Sequence, residues 1–242
     1  MAILLIADLH LNEENPMITV GFLRFLQEQA SQAKALYILG DFFDYWIGDD
    51  DPSLLHEVIA EKLKELESKG IPCYFIHGNR DFLLNKKFAK KSGMILLPSE
   101  KVLTLYGLNI LILHGDTLCT NNISYQRYRK QVYNHWLKRF FLILPLFTRH
   151  FIAKYIRKNS QFIRKNNKKR ITDVNEQTVI DKFKKYQVDW IIHGHTHKPA
   201  IHKINVNTKI LSRGVLGAWY KNGSIIKITS EDGIKLIYFP FH

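Results

Sequence analysis

Trp190-Ile191-Ile192-His193-Gly194-His195-Thr196-His197 joins an apolar run to three imidazoles, and its reading decides how the rest of the chain is organised. The apolar part has the composition of a buried strand. Glycine between the first two histidines lets the backbone turn sharply, so His195 and His197 can point into one small volume. One such histidine reads as a surface side chain on a polar loop. Three together read equally as a polar loop or as part of a metal site, and a metal site would need ligands from elsewhere in the chain.

Working outward, four more apolar runs end in polar, metal-competent residues. Ala2 to Ala7 delivers Asp8-Leu9-His10, and Ala35 to Leu39 delivers Gly40-Asp41-Phe42-Phe43-Asp44. Cys73 to Ile76 runs into His77-Gly78-Asn79-Arg80-Asp81, and Asn109 to Leu113 into His114-Gly115-Asp116. Between them, Thr19 to Ala33 carries apolar residues at helical spacing (Val20, Leu23, Phe25, Leu26, Ala30). A second helix runs to about Ser68, with Asp51 placed to cap it, Pro52 at its first position and Gly70-Ile71-Pro72 stopping it. The alternation points to an α/β fold, in which sites form in the crevice beyond the strand ends. Thr208 to Leu211, Ser224 to Thr229 and Ile234 to Phe239 read as short strands in mixed or antiparallel pairing. Asn222-Gly223 and Asp232-Gly233 supply the turn signals before the last two.

A chain of 242 residues, 46% of them apolar, accommodates one large domain with an insertion. The insertion, at about 120–170, breaks the alternation. It holds 14 of the 35 Lys and Arg and none of the 22 Asp and Glu, so most of the net charge of +13 resides there. Tyr125, Tyr128, Val132, Trp136 and Phe140 fall on one helical face, which Phe147, Phe151, Tyr155 and Ile156 continue after Pro145. The run Lys165 to Arg170 is low in complexity. Cys73 and Cys119 form neither a disulfide framework nor a zinc spacing and read as structural. The longest apolar run, Phe140 to Phe147, is too short to span a bilayer, and Met1 to Ala7 lacks the basic leader of a signal peptide, so a cytoplasmic protein is expected.

Collected from the strand ends, Asp8, His10, Asp41, Asn79, His114, His195 and His197 exceed the needs of one ion. Carboxylate and amide oxygens mixed with imidazole, without thiolate, suit a pair of Mn²⁺, Fe²⁺, Co²⁺ or Zn²⁺ ions. Paired ions about 3.5–4 Å apart serve in-line phosphoryl displacement, so phosphate ester or anhydride hydrolysis follows.

In this order and spacing, DLH, GDFFD, GNRD, HGD and HGHTH resemble the calcineurin-like metallophosphoesterase superfamily. The resemblance implies a β-sandwich flanked by helices, α/β (α+β) in class, with a helical cap inserted in a single domain over 1–242. It implies that Asp8, His10 and His197 hold one ion and Asn79, His114 and His195 the other, with Asp41 bridging. Arg80, Asn79 and His195 would then serve the substrate phosphate. An ion pair of Arg80 with Asp81 or Asp116 is the plainer reading. Asp44, Asp81, Asp116 and His193 would orient ligands, Asp44 and Asp116 being equally readable as turn and cap residues.

The longer stretches GDFFDYWIGDD, CYFIHGNRDFL, ILHGDTLC and IHGHTHKPAIH, with Thr172-Asp173-Val174-Asn175, resemble more narrowly the UDP-2,3-diacylglucosamine diphosphatases of bacterial lipid A synthesis. Phosphoprotein phosphatases carry an arginine where this chain has Tyr45 and Trp46. The resemblance implies Mn²⁺ as cofactor and an acylated UDP-sugar as substrate, cleaved at the α-phosphorus to UMP and the acylated sugar phosphate. It also implies head-group contacts from Asn122, Tyr125, Ser160, Arg164 and Asn167 in the cap. Asn122, Asn167 and Ala218 depart from the family's usual aspartate, lysine and aspartate. A monomer resting on the cytoplasmic face of the inner membrane through Phe140 to Phe147 is expected, or else those residues only pack the cap onto the body. Two other readings use the same residues: a dimetal phosphodiesterase on nucleic acid or cyclic nucleotides, and a non-catalytic module whose basic cap binds nucleic acid or anionic membrane. Interleaved Phe, Leu and Ile favour an acyl groove over nucleic acid.

Overall fold

The five apolar runs become strands because both of their faces find apolar partners. A computed structural model describes residues 1–166, 173–206 and 209–241, and leaves the side chains of 159–166 undescribed. In chain order β1 (Ile3–Ile6), α1 (Pro16–Glu28), β2 (Ala35–Ile38), α2 (Leu54–Ser68), β3 (Cys73–Phe75), α3 (Lys86–Ser92) and β4 (Met94–Leu96) form the first half. There follow β5 (Glu100–Leu105), β6 (Leu108–Leu113), α4 (Ile123–Val132), α5 (His135–Ile143), α6 (Leu146–Asn166) and α7 (Glu176–Tyr186). β7 (Trp190–His193), β8 (Ala200–Val206), β9 (Lys209–Val215), β10 (Asn222–Thr229) and β11 (Gly233–Pro240) complete the chain.

The strands form two sheets, ordered β11-β10-β1-β2-β3-β4 and β5-β6-β7-β9-β8. Side-chain alternation in β1 sorts its residues between two clusters. Leu4 and Ile6 pack with Phe22 and Phe25 of α1 and Ile59 and Leu63 of α2, outside the first sheet. Ile3 and Leu5 point the other way, into a layer shared with Ile110, Ile112 and Ile192 of the second sheet. On that sheet's outer face Leu111, Leu113 and Ile191 meet Val179 and Phe183 of α7. The result is a β-sandwich covered by helices on both sides, and each fully buried Leu, Ile or Phe contributes about 1.5–3 kcal/mol. β1, β2 and β3 are mutually parallel, as are β6 and β7, which brings their carboxyl ends to one edge.

Several local expectations change. The α2 N-cap is Ser53, and Asp51 instead faces His150 and His56 at 3.4 and 3.9 Å. Asn222-Gly223 makes no turn: Asn222 and Gly223 already pair with Pro240 and Phe239, whereas Asp232-Gly233 does close the β10–β11 hairpin. The end of the chain shows the mixed pairing that was one of the two expectations: β9 runs parallel to β7 and antiparallel to β8, and β10 pairs antiparallel with β1 and β11. α3, α7, β4, β5 and β8 lie outside the elements expected from the sequence.

The insertion is helical but is not one continuous face. It breaks at Tyr133-Asn134, where the Asn134 side chain accepts the Trp136 and Leu137 amides and starts α5 on a new axis. Among the described residues from 120 to 158, only Arg149 is buried. Its guanidinium donates to Leu144 O and Ile47 O at 2.9 and 2.8 Å and pairs with Asp50, pinning the α5–α6 corner to the body. Cys73 and Cys119 are free and buried. Among the described residues, no helix is long and apolar enough to cross a membrane. Ser160 and Arg164, by their side chains, and Asn167, the rest of the basic run to Arg170, Thr172 and Thr208 lie outside the described residues.

Candidate metal centre

At the shared strand edge, side chains are aimed by an unusual backbone. Asp8, His10, Asp41, His195 and His197 all have positive φ, at 56°, 52°, 50°, 68° and 57°. Left-handed backbone at a non-glycine residue costs about 1–3 kcal/mol and persists where the surroundings over-determine it. Here the loops are tied in register beyond the strands, Asp8 N to Gly40 O at 3.0 Å and His10 N to Asp41 O at 3.0 Å. In a straight strand, residues two apart lie about 6.6 Å from one another. Curling the chain lets Asp8 and His10 reach the same point.

Gly194 has a different role from the one expected. Its φ is not positive; the left-handed positions are its neighbours His195 and His197. What it provides is room, because a Cβ there would stand 2.1 Å from Asp8 Oδ2, which accepts the His195 amide at 2.7 Å. Gly78 likewise leaves space for Asp41, whose Oδ1 would meet a Cβ at 2.3 Å.

The seven residues collected from the strand ends converge. Asp8 Oδ1 faces His197 Nε2 at 3.2 Å, and His197 Nε2 lies 3.4 Å from His10 Nε2. Asp41 turns Oδ2 toward His10 Nε2 at 3.9 Å and Oδ1 toward His114 Nε2 at 3.6 Å. Asn79 Oδ1 comes within 3.2 Å of His114 Nε2, while His114 Nδ1 donates to Leu39 O and so keeps Nε2 for the centre. His195 stands at the margin, its ring edge-on to His114 at 5.1 Å and under Tyr125 at 5.7 Å. Asp8 with His10 and His197, and Asp8 with Asp41 and His114, each form a group that could hold a cation.

Electrostatics supports that fit. Burial would raise the Asp8 carboxyl, but His197, His114 and His10 hold it well below the usual range. Burial and the Asp8 charge push Asp41 up in spite of His114. Against burial, Asp41, Asp8 and Asp116 push the His114 imidazole up to about 9. Burial and His114 press His195 down to about 3. Two buried carboxylates this close stay ionised together only beside positive charge. Asp8 Oδ1 is buried and faces the His197 imidazole, an arrangement that suits an oxygen shared with a cation.

The supporting residues divide. Asp81 accepts the Phe42 and Gly78 amides at 2.7 and 2.8 Å, joining two strand ends. His193 braces the turn, bonding Gly194 O and Arg213. Asp116 opens a short 3-10 turn, Asp116–Leu118, and pairs with Arg129 of α4. Asp44 pairs with Arg157 of α6 at 2.7 Å, so it ties the cap to the body. Among the described residues Arg80 forms no ion pair with Asp81 or Asp116. Instead it lines, with Asn79, a cavity of about 410 Å³ between cap and body, walled largely by apolar side chains such as Trp46, Phe82, Phe141 and Ile152. That volume falls within the range of about 300–1,000 Å³ typical of small-molecule sites. Asn122 caps α4 by accepting the Tyr125 amide at 3.1 Å. Ala218 precedes Trp219, whose amide donates to Asp8 O, and nothing in the structure explains its departure from aspartate. The cap ties Arg129, Lys138, Arg149 and Arg157 were not foreseen, since a basic run carries no sign of which cations meet carboxylates on distant loops.

Comparison with known proteins agrees with this geometry. The sequence profile of calcineurin-like phosphoesterases matches residues 1–199. A UDP-2,3-diacylglucosamine hydrolase of Photorhabdus laumondii is 59% identical over 100% of both chains. One of Proteus mirabilis is 60% identical over 100% of both, and one of Escherichia coli 55% over 100% of both. Among solved structures, an archaeal phosphodiesterase shares the fold with a TM-score of 0.50 at 15% identity, covering 99% of this chain and all of that one. With its strand-edge motifs converging on one cation-competent centre, the chain belongs to the calcineurin-like phosphoesterase family.

Proposed function

We infer that this protein hydrolyses the pyrophosphate of UDP-2,3-diacylglucosamine by water attack on the α-phosphorus, releasing UMP and 2,3-diacylglucosamine 1-phosphate in lipid A biosynthesis. The observation that carries the reading is an apolar cavity whose lining includes the candidate ligand Asn79 and its neighbour Arg80, in a chain whose full-length relatives bear that name. Residues 1–242 act as one domain, with the cap at about 120–170 completing the site.

Asp8, His10 and His197 would hold one divalent ion and Asn79, His114 and His195 the other, with Asp41 joining them through its two oxygens. The mixed donor set suits Mn²⁺. Such a pair supplies Lewis-acid polarisation of phosphoryl oxygens and acidifies water. Arg80 presents a planar fork to the nonbridging oxygens, stabilising charge that develops in the transition state. His195, kept neutral by burial, would give one ring nitrogen to the ion and could donate from the other N–H to a phosphate oxygen without adding charge. Tyr125 packs over His195 and fixes its ring plane. Asn122 retains its amide NH₂ for the head group, with Ser160, Arg164 and Asn167 expected beside it. A leaving phosphate demands little acid catalysis.

The cavity takes acyl chains, and the outer face of the cap meets the membrane. Trp136, Phe140, Ile143, Phe147 and Phe151 are exposed there, while Phe141 packs against the core. Exposed apolar residues beside Arg139 and Lys154 suit the anionic cytoplasmic leaflet, each cation contributing about 1 kcal/mol near the surface. Nucleic acid fits less well, because Arg129, Arg149 and Arg157 are engaged by carboxylates of the body. The protein acts as a monomer.

Incubation of the Mn²⁺-loaded enzyme with UDP-2,3-diacylglucosamine, single-stranded DNA and a cyclic nucleotide tests the reading. UMP from the first alone is expected; nucleotide release from the others without UMP would replace it.

A further inference from the structure

The segment carrying Asn79 and Arg80 is held from two sides. From the body, Asp81 accepts Gly78 N at 2.8 Å, Asp41 Oδ1 accepts Arg80 N at 2.8 Å, and Trp46 N donates to Arg80 O at 3.1 Å. From the cap, Tyr133 Oη donates to Gly78 O at 3.0 Å and Lys138 Nζ donates to Phe82 O at 3.0 Å. The two cap donors therefore take the carbonyls on either side of Asn79-Arg80-Asp81.

They also form one unit. Lys138 Nζ lies over the rings of Tyr133 and Phe82 at 4.5 and 5.2 Å, and those rings pack on each other at 5.4 Å. Arg129 also lies over the Tyr133 ring, at 4.5 Å, while pairing with Asp116. Tyr133 and Lys138 follow one another across the break between α4 and α5, so a change in that joint moves both donors together. The cap is pinned to the body separately, through Arg149 to Asp50 and Arg157 to Asp44. Removing the clamp thus leaves the cap docked.

We propose that Tyr133 and Lys138 are positioning residues: by gripping the Gly78 and Phe82 carbonyls they set the Asn79-Arg80 loop against the metal edge and couple turnover to the α4–α5 joint. Neither side chain need touch the reacting atoms. The proposal rests on the functional reading only for the choice of natural substrate.

Tyr133→Phe removes the hydroxyl alone, Lys138→Met the ammonium, and Lys138→Arg restores a cationic donor. Steady-state kinetics is measured with UDP-2,3-diacylglucosamine and with an aryl phosphodiester that has no acyl chains. Hydrogen exchange is followed in the peptide over residues 76–84. Each single loss should lower kcat by about fivefold on both substrates with KM nearly unchanged, the size expected for one hydrogen bond of ordinary strength. Exchange in the 76–84 peptide should rise by about the same factor, with Lys138→Arg recovering within about twofold. Wild-type kcat and exchange in both deletion variants would overturn the proposal. So would a kcat loss without faster loop exchange, or a loss confined to the acylated substrate, since either places the residues on the lipid rather than on the loop. If the wild type cleaves the aryl diester but not the acylated UDP-sugar, the functional reading fails while the clamp is still decided by the diester and the exchange data.

Discussion

The strand edge and the helical cap place side chains under opposite conditions. At the edge Asp8, Asp41, Asp81 and His114 are 0–2% exposed, charged or chargeable groups in the driest part of the protein. In the cap Trp136, Ile143, Phe147 and Phe151 are 72–81% exposed, and a buried residue is a cation, Arg149. Polar groups go inside where a cation and a phosphate give them partners. Apolar groups stay outside where a lipid can cover them. On the proposed reading the edge would serve an ion and a diphosphate, and the cap an acyl chain and a membrane surface.

This contrast breaks most sharply at Asp41. Asp41→Ala should lose metal, read by elemental analysis, and lower turnover by more than about a thousandfold, while the cap stays folded. Turnover near wild type would remove Asp41 from the centre. The converse is Arg149→Met, which strands the Leu144 and Ile47 carbonyls while Asp50 stays solvated; an unsatisfied buried acceptor costs about 1–3 kcal/mol. Protease sensitivity should rise within 133–158 with metal content unchanged, and metal loss in step with cap opening would show that the two regions are not separable.

At the seam, burial against Trp46 and Phe43 presses His56 down to about 4, opposed in part by Glu57 and Asp51. The unfolded chain takes a proton that the folded one refuses, so stability is full above about pH 6.5 and falls toward pH 4, by about 3 kcal/mol at most. Chemical denaturation of wild type and His56→Gln should diverge across that window; parallel curves would show that His56 does not titrate between the states. The smallest effect concerns the outer face. Phe140→Ser with Phe147→Ser should change stability by less than about 0.5 kcal/mol, as exposed substitutions do, yet abolish flotation with anionic vesicles. Unchanged flotation would leave that face without a membrane role.

The same contrast explains what could be read in the sequence. β1, β2, β3, β6 and β7 are buried on both faces, so each is a continuous apolar run, and each ends in the residue types a metal centre requires. β4, β5 and β8, which escaped notice, are all edge strands of their sheets. Half-solvated, they carry alternating patterns such as Ala200-Ile201-His202-Lys203-Ile204, weaker than a run and legible only at period two. The break at Asn134 escaped because helical spacing matched by Tyr125, Tyr128, Val132 and Trp136 does not register an asparagine cap between them. Gly194 reads as a turn residue in the sequence because nothing local shows that Asp8 packs against its Cα. The convergence of Asp8 and Asp41 with His195 and His197 needed the whole sandwich, since nothing local joins residues so far apart in the chain.

The central claim is that water attacks the α-phosphorus of the UDP-linked, doubly acylated glucosamine. Turnover of UDP-2,3-diacylglucosamine by the Mn²⁺-loaded enzyme in ¹⁸O-water, read by mass spectrometry, tests it directly. The account predicts one ¹⁸O in UMP and none in the acylated sugar phosphate. Label in the sugar phosphate, or no UMP at all, would contradict it.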